Sequence, residues 1–239
     1  FNAKMAILNP GDEVVIPTPY WVSYPAQVQA LGAVPVFLET KEENDLKVTA
    51  SELEAAITSK TKLIILNSPS NPSGMVYTRA ELQALADVIV KHNVYVISDE
   101  LYEKLVYDGE HVSIAQLGDA IKERTILING VSKAYSMTGW RIGYTAAPKE
   151  IVKVMSTIQS HSTSNPAQAS QWASLEAIQG SQEVVDTMKE AFVERRKVLV
   201  DGLNALPGIT CIEPKGAFYA FPNISATFGK TCESGTITD

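Results

Sequence analysis

The chain has 239 residues, 45% of them hydrophobic and 20% charged, with a formal net charge of -7; this excludes disordered and fibrous classes and allows a sizeable core. The acidic balance, with no basic run longer than Glu194-Arg195-Arg196-Lys197, excludes a nucleic-acid surface. No stretch nears the roughly 20 apolar residues of a membrane span and no charged start precedes an apolar signal core, so no membrane partner and a cytoplasmic location are expected.

Phe1, Met5 and Leu8, closing at Asn9-Pro10-Gly11, read as the last turns of a helix that starts before the first residue. Glu13-Val-Val-Ile-Pro17 is a short strand. It leads through Thr18-Pro-Tyr-Trp-Val-Ser-Tyr-Pro25 to a short helix from Ala26 to Leu31 and a second strand, Val34 to Leu38. Thr49-Ala-Ser-Glu52 and Thr78-Arg-Ala-Glu81 are capping boxes that open two helices, the second with Leu82, Leu85, Ala86 and Ile89 on one face. Lys62 to Asn67, Asn93 to Ser98 and Arg124 to Asn129 are unbroken apolar runs of strand length, and Arg141 to Ala146 is a further strand candidate.

Such strands, separated by helical patterns, imply an α/β chain with a mostly parallel sheet covered by helices on both faces, a three-layer α/β/α arrangement. The second half changes character. Pro148 to Ser160 reads as a helix, Pro166 to Ile178 as another capped by Asn165 and stopped by Gly180, and Gln182 to Leu206 as a long amphipathic helix ended by Pro207-Gly208. Ile209 to Glu213 and Ala217 to Phe221 resemble a hairpin around Pro214-Lys-Gly216, and Ser234 to Asp239 is a polar tail with no closing element. The expected division is a large domain over 1–180, incomplete at its start, and over 181–239 a connecting helix with the beginning of a small α+β domain. Cys211 and Cys232 form no disulfide framework, His92, His111 and His161 no metal-ligand spacing, and no metal is expected.

In open parallel sheets ligands bind beyond the carboxyl ends of the strands. Three such ends carry unusual polar residues: Asn67-Ser-Pro-Ser-Asn71-Pro-Ser-Gly74, Ser98-Asp99-Glu-Leu-Tyr102, and Asn129-Gly-Val-Ser-Lys133-Ala-Tyr-Ser-Met-Thr-Gly-Trp-Arg141-Ile-Gly143. Each has an ordinary reading alone: Asn71 before Pro72 as a turn former, Asp99 as a helix cap, Tyr102 and Trp21 as core aromatics, Lys133 and Arg141 as solvated cations. Together they suit one cofactor, pyridoxal 5'-phosphate. A lysine desolvated past a buried strand supplies the amine of an imine, and a planar guanidinium holds a phosphate. Asp99 can keep the pyridine nitrogen protonated, Asn71 and Tyr102 can donate to the phenolic oxygen, and Trp21 can stack on the ring.

The same segments, with Tyr20-Trp-Val-Ser-Tyr-Pro25 and Gly216-Ala-Phe-Tyr219, resemble the class I/II aminotransferases of the fold-type I pyridoxal phosphate enzymes, most closely the bacterial aspartate aminotransferase group. The resemblance implies the large-domain fold of that type. It implies Lys133 as the catalytic aldimine-forming lysine, Asp99 at the pyridine nitrogen, Asn71 and Tyr102 at the phenolic oxygen, Trp21 on the ring and Arg141 at the phosphate, with Trp21 and Asn71 also facing substrate. It further implies a homodimer and a ping-pong exchange between an L-amino acid, aspartate or another acidic one, and a 2-oxo acid, with 2-oxoglutarate as acceptor. Cis peptides are expected at Thr18-Pro19 and Asn71-Pro72. The family's glycine-containing phosphate loop and its carboxylate-clamping arginine are absent from this stretch, and Gly130 stands where a phosphate-binding Ser is frequent, which points to Ser132, Arg141 and backbone amides as phosphate anchors. The rival readings are a β-lyase or racemase on the same cofactor, and a non-catalytic cofactor- or amino-acid-binding domain.

Overall fold

The computed structural model describes residues 1–232 and 235–238; of the polar tail, Ser234 and Asp239 lie outside the described residues. Helix α1 (Asn2–Ile7) precedes β1 (Glu13–Thr18), α2 (Ser23–Gln29), β2 (Val34–Glu39), α3 (Ala50–Ala56) and β3 (Thr61–Asn67). Next come α4 (Arg79–Lys91), β4 (Tyr95–Asp99), α5 (Asp119–Lys122), β5 (Thr125–Gly130) and β6 (Gly143–Ala146). Helices α6 (Lys149–Ser162), α7 (Gln168–Gln179) and α8 (Glu183–Asn204) follow, then the two-residue strands β7 (Thr231–Cys232) and β8 (Gly235–Thr236).

Strands β1 to β6 form one sheet in the order β2-β1-β3-β4-β5-β6. All neighbours are parallel except β6, which runs antiparallel to β5. The fold is α/β with a mostly parallel sheet between helical layers. The unbroken apolar runs follow from burial on both faces. Val14, Ile16, Leu63, Ile65, Ile97 and Ile126 pack towards α1, α2 and α6, while Val15, Ile64, Leu66 and Val96 pack towards α3 and α4.

Both capping boxes are formed: Thr49 accepts from the Glu52 amide and Thr78 from the Glu81 amide, with the glutamates returning to the threonine amides. Helix α2 begins earlier than the sequence suggested, because Pro25 falls in its first turn, where a missing N–H costs nothing. Asn165 is not the cap of α7; its amide bonds the Pro166 carbonyl at 3.1 Å, and Ala167 precedes the helix. Cis peptides stand at Thr18-Pro19 and Asn71-Pro72 as expected, and at Ser68-Pro69, which was not. Among the described residues no helix is long and apolar enough to cross a membrane.

The hairpin expected over Ile209 to Phe221 does not form. A single bridge joins Thr210 to Asn223, and the groups that would have paired across the turn are taken elsewhere. The Lys215 and Gly216 amides bond the Gly74 carbonyl at 2.9 and 2.8 Å, and the Ala217 amide bonds the Leu105 carbonyl at 2.8 Å. The segment is thus laid against the loops after β3 and β4. A Cβ on Gly216 would come within 2.8 Å of the Leu105 oxygen and of Pro69, and one on Gly74, whose φ is +71°, within 2.5 Å of Pro214. Gly74→Ala is therefore expected to destabilise the chain by about 1–3 kcal/mol. Gly202→Ala, in the last turn of α8 with open space around it, should stabilise by up to about 1 kcal/mol. Denaturant melts of the two variants check the contrast.

Candidate active site

The strand registers bring the candidate groups to one edge of the sheet. Asn67 pairs with Asp99, and Asp99 with Ile128, so β3 and β4 end level and β5 runs on to Gly130 at the same edge. Trp21 follows β1, Asn71 follows β3, Asp99 closes β4 with Tyr102 just beyond, and Lys133 follows β5. Because β6 is antiparallel, its start lies at this same edge, with Gly143 opposite Gly130, and Arg141 precedes it there. Strand order reverses between β1 and β3, where a crevice is expected, and Trp21 and Asn71 stand on its two sides.

Asp99 is the most constrained member. Its Oδ2 accepts the Tyr24 hydroxyl at 2.7 Å and its Oδ1 the Leu101 amide at 3.3 Å. Burial nevertheless outweighs these donors and holds its carboxyl above the usual range. Burial, then the Asp99 charge, pushes the Tyr24 phenol well up. Glu100, the next residue, points to the other face, where the Ser98 and Ser113 hydroxyls donate to it at 2.8 and 2.6 Å and His111 Nε2 stands at 2.8 Å. Two adjacent carboxyls, one closing β4 and one just beyond it, therefore bond to different sets of partners.

Tyr102 is buried, and its hydroxyl lies 2.7 Å from that of Tyr219. Burial and this neighbour push the Tyr102 phenol up, against a smaller opposing pull from the Asn71 amide. The Asn71 backbone is fixed by its amide bonding Asn67 Oδ1 at 2.7 Å. Lys133 Nζ stands over the rings of Tyr102 and Phe218, 5.9 and 5.5 Å from their centroids. Trp21 is 41% exposed and packs at right angles to the Tyr24 ring, centroids 5.4 Å apart.

Arg141 sits apart from this cluster. Its backbone has φ +56°, its Nη1 bonds the Thr138 carbonyl at 2.9 Å, and it borders an open cavity of about 1090 Å³ between β6, α6 and α1. Gly130 has a local reason: a Cβ there would lie 2.8 Å from the Ile142 oxygen and 3.2 Å from Gly143 Cα, so no serine fits. The arrangement offers an aromatic face, a carboxylate, neutral donors, a primary amine and a guanidinium along one edge, a set suited to a flat heterocycle with a protonated ring nitrogen, a carbonyl and an anionic tail.

Sequence reasoning did not single out Tyr24, Tyr219, Phe218 or Lys4. Tyr24 was findable, since a polar aromatic three residues after Trp21 at the start of a helix lies on the same side. Tyr219 reaches the site only through the docking of residues 214–219, which no local pattern encodes. Lys4 of α1, 4% exposed, gives its Nζ to Gln27 Oε1 at 2.6 Å. Burial pulls its ammonium down to about 8, against the attraction of Asp99.

A family model described as aminotransferase class I and II matches residues 1–234. An aspartate aminotransferase of Geobacillus stearothermophilus is 55% identical over 224 residues, which are 93% of this chain and 57% of that protein. An aspartate/prephenate aminotransferase of Cereibacter sphaeroides is 52% identical over 242 residues, 100% of this chain and 60% of the other. The crystal structure of an aspartate aminotransferase from Rhizobium meliloti superposes with a TM-score of 0.95 at 47% identity, covering 99% of this chain and 60% of that one. The chain thus spans 57–60% of the length of these relatives.

Lys4 supplies a stability prediction. Its folded-state value of about 8 lies below the ordinary 10.5, so the folded chain binds fewer protons than the unfolded one between those limits, and stability rises with pH across them. Lys4→Met should be the more stable chain at pH 7, by at most about 3.4 kcal/mol, because 2.5 pH units at 1.36 kcal/mol each bound the gain. The advantage should fade between pH 8 and 10.5, and melting curves at stepped pH check it.

Proposed function

The chain belongs to the class I and II aminotransferases, and from that premise we propose that the protein binds pyridoxal 5'-phosphate at Lys133 and transfers an amino group. The donor is an L-amino acid, aspartate or another acidic one, and the acceptor a 2-oxo acid, 2-oxoglutarate. The observation that carries this reading is the register of β3, β4 and β5, whose carboxyl ends bring Asn71, Asp99, Tyr102 and Lys133 to one edge with Trp21 and Arg141 on either side. The names of the aspartate aminotransferases that it matches support the choice of donor.

The residues fit the cofactor by the chemistry of their donors. When bound, it supplies an electron sink for the carbanion formed at the substrate α-carbon. Asp99, aligned by Tyr24 and the Leu101 amide, would hold a proton on the ring nitrogen through its carboxylate. Asn71 and Tyr102 would donate to the phenolic oxygen, Trp21 would cover one face, and Arg141 would pair with the phosphate, aided by Ser132 and backbone amides. Lys133 Nζ, as a free amine, would take the proton from the substrate α-carbon as base and hold it for return as acid. Residues 1–180 are read as the cofactor-binding domain and 181–239 as the connecting helix and the start of a smaller one. A homodimer in the cytoplasm, each site completed by its partner, belongs to the same reading.

Half-reaction spectra of the full-length protein with single amino acids test it. Loss of the absorption band of the lysine-bound cofactor with release of the matching oxo acid is expected, fastest for acidic donors. Racemised or eliminated products would favour the racemase or β-lyase reading, and an unchanged spectrum the non-catalytic one. Lys133→Ala should abolish that band and lower turnover by on the order of 10²–10⁴-fold; a band that survives the substitution would remove Lys133 from its role.

A further inference from the structure

Lys4 has no part in the reaction just described, yet its placement is unusual. A buried ammonium is unfavourable unless it is paired and hydrogen-bonded. A lysine on a short helix would ordinarily carry its head out to water along an apolar stem. Lys4 does the reverse. It is 4% exposed, its Nζ ends on Gln27 Oε1 at 2.6 Å, and it stands 5.1 Å from the centroid of the Tyr24 ring. Tyr24 donates its hydroxyl to Asp99 Oδ2 at 2.7 Å and packs at 89° to the Trp21 ring, centroids 5.4 Å apart. One buried cation thus bears on the ring that touches both the site carboxylate and the site indole.

We infer that Lys4 is a positioning residue that acts on Asp99 through Tyr24, holding the carboxylate charged and aligned for the ring nitrogen of the cofactor. The inference rests on the cofactor reading above. Desolvation is the largest influence on Asp99 and favours its neutral form, which cannot pair with a protonated ring nitrogen. The titratable and charged groups that reach Asp99 are Lys4 from α1, Tyr24 from α2, and Glu100 and Tyr102 beyond β4. Of these, Lys4 is the side-chain cation, and its attraction opposes the desolvation and the Glu100 charge. The stability cost of burying Lys4 is then the cost of keeping Asp99 ionised.

The test reads Asp99 directly, in the full-length protein freed of cofactor. The carboxyl resonance of carbon-13-labelled aspartate that disappears in Asp99→Asn is titrated against pH. Lys4→Met is expected to raise its midpoint by about half a pH unit or more, with Tyr24→Phe raising it as well. Lys4→Gln, which keeps length and polarity without charge, should behave as Lys4→Met does and serves if that variant does not fold. A midpoint unchanged in the Lys4 variants while Tyr24→Phe moves it would overturn the inference, and a purely structural lysine would alter the melt alone. Pyridoxal phosphate is then added to the wild type and to Lys4→Met. A wild type that forms no visible band refutes the cofactor reading whatever the Asp99 midpoints show. A wild-type band with severalfold weaker cofactor binding in Lys4→Met supports the inference, and equal affinity counts against it.

Discussion

The pairing of Asn67 with Asp99 and of Asp99 with Ile128 decides where the candidate groups stand. Neighbouring side chains on a strand point to opposite faces, so a slip of one residue in β4 would exchange Asp99 for Glu100. The core forbids that slip. Val96 packs towards α3 and α4 and Ile97 towards α1 and α2, each into a layer already filled by Ile64 or Leu63 and Ile65. Exchanging them would press differently shaped residues into two close-packed faces at once, where even a methylene is felt. Hydrophobic packing thereby fixes a carboxylate that has nothing hydrophobic about it.

That carboxylate is held in tension. Desolvation favours the protonated acid, while Tyr24 and the Leu101 amide favour the anion. Glu100 would add a second negative charge next door, but its pleat faces Ser98, Ser113 and His111, whose donors satisfy it on the other side of the sheet. The two acids are adjacent in sequence and bond to different partners, and the Glu100 charge still reaches Asp99 as a minor influence. Placing a buried lysine on the Asp99 side and neutral hydroxyls on the Glu100 side gives each carboxyl a different environment, and with it a different task.

Much of this was legible in the residues. Unbroken apolar runs gave the strands because both faces of the sheet are covered, and Thr49 and Thr78 marked two helix starts because an N-cap is a local event. The polar residues after Leu66, Ile97 and Ile128 stood out because a parallel sheet leaves its ligand groups at strand ends. Contacts between distant segments were not legible. Ala217 to Phe221 has the alternation of a strand, yet its backbone pairs with Leu105 and Gly74 instead, and nothing within ten residues records that competition. Lys4 lies outside the apolar pattern of Phe1, Met5 and Leu8, and only the fold turns it inward.

The docking of residues 214–219 also ties the candidate site to α8. Arg196, in the middle of that helix, gives its Nη1 to Asp108 Oδ2 at 2.5 Å and to the Pro214 carbonyl at 2.8 Å, and stands 5.0 Å over the Tyr107 ring. Tyr107 in turn bonds the Ala217 carbonyl through its hydroxyl and the Lys215 carbonyl through its amide. The loop so fixed carries Phe218 under Lys133 and Tyr219 onto the Tyr102 hydroxyl. A rotation of α8 could therefore not occur without moving two of the side chains that frame the lysine. Gly74 and Gly216 permit this docking, since a Cβ on the first would meet Pro214 and one on the second Leu105 and Pro69. The amine at the strand end and the helix that leaves the sheet behave as one mechanical unit, joined by backbone hydrogen bonds and one guanidinium.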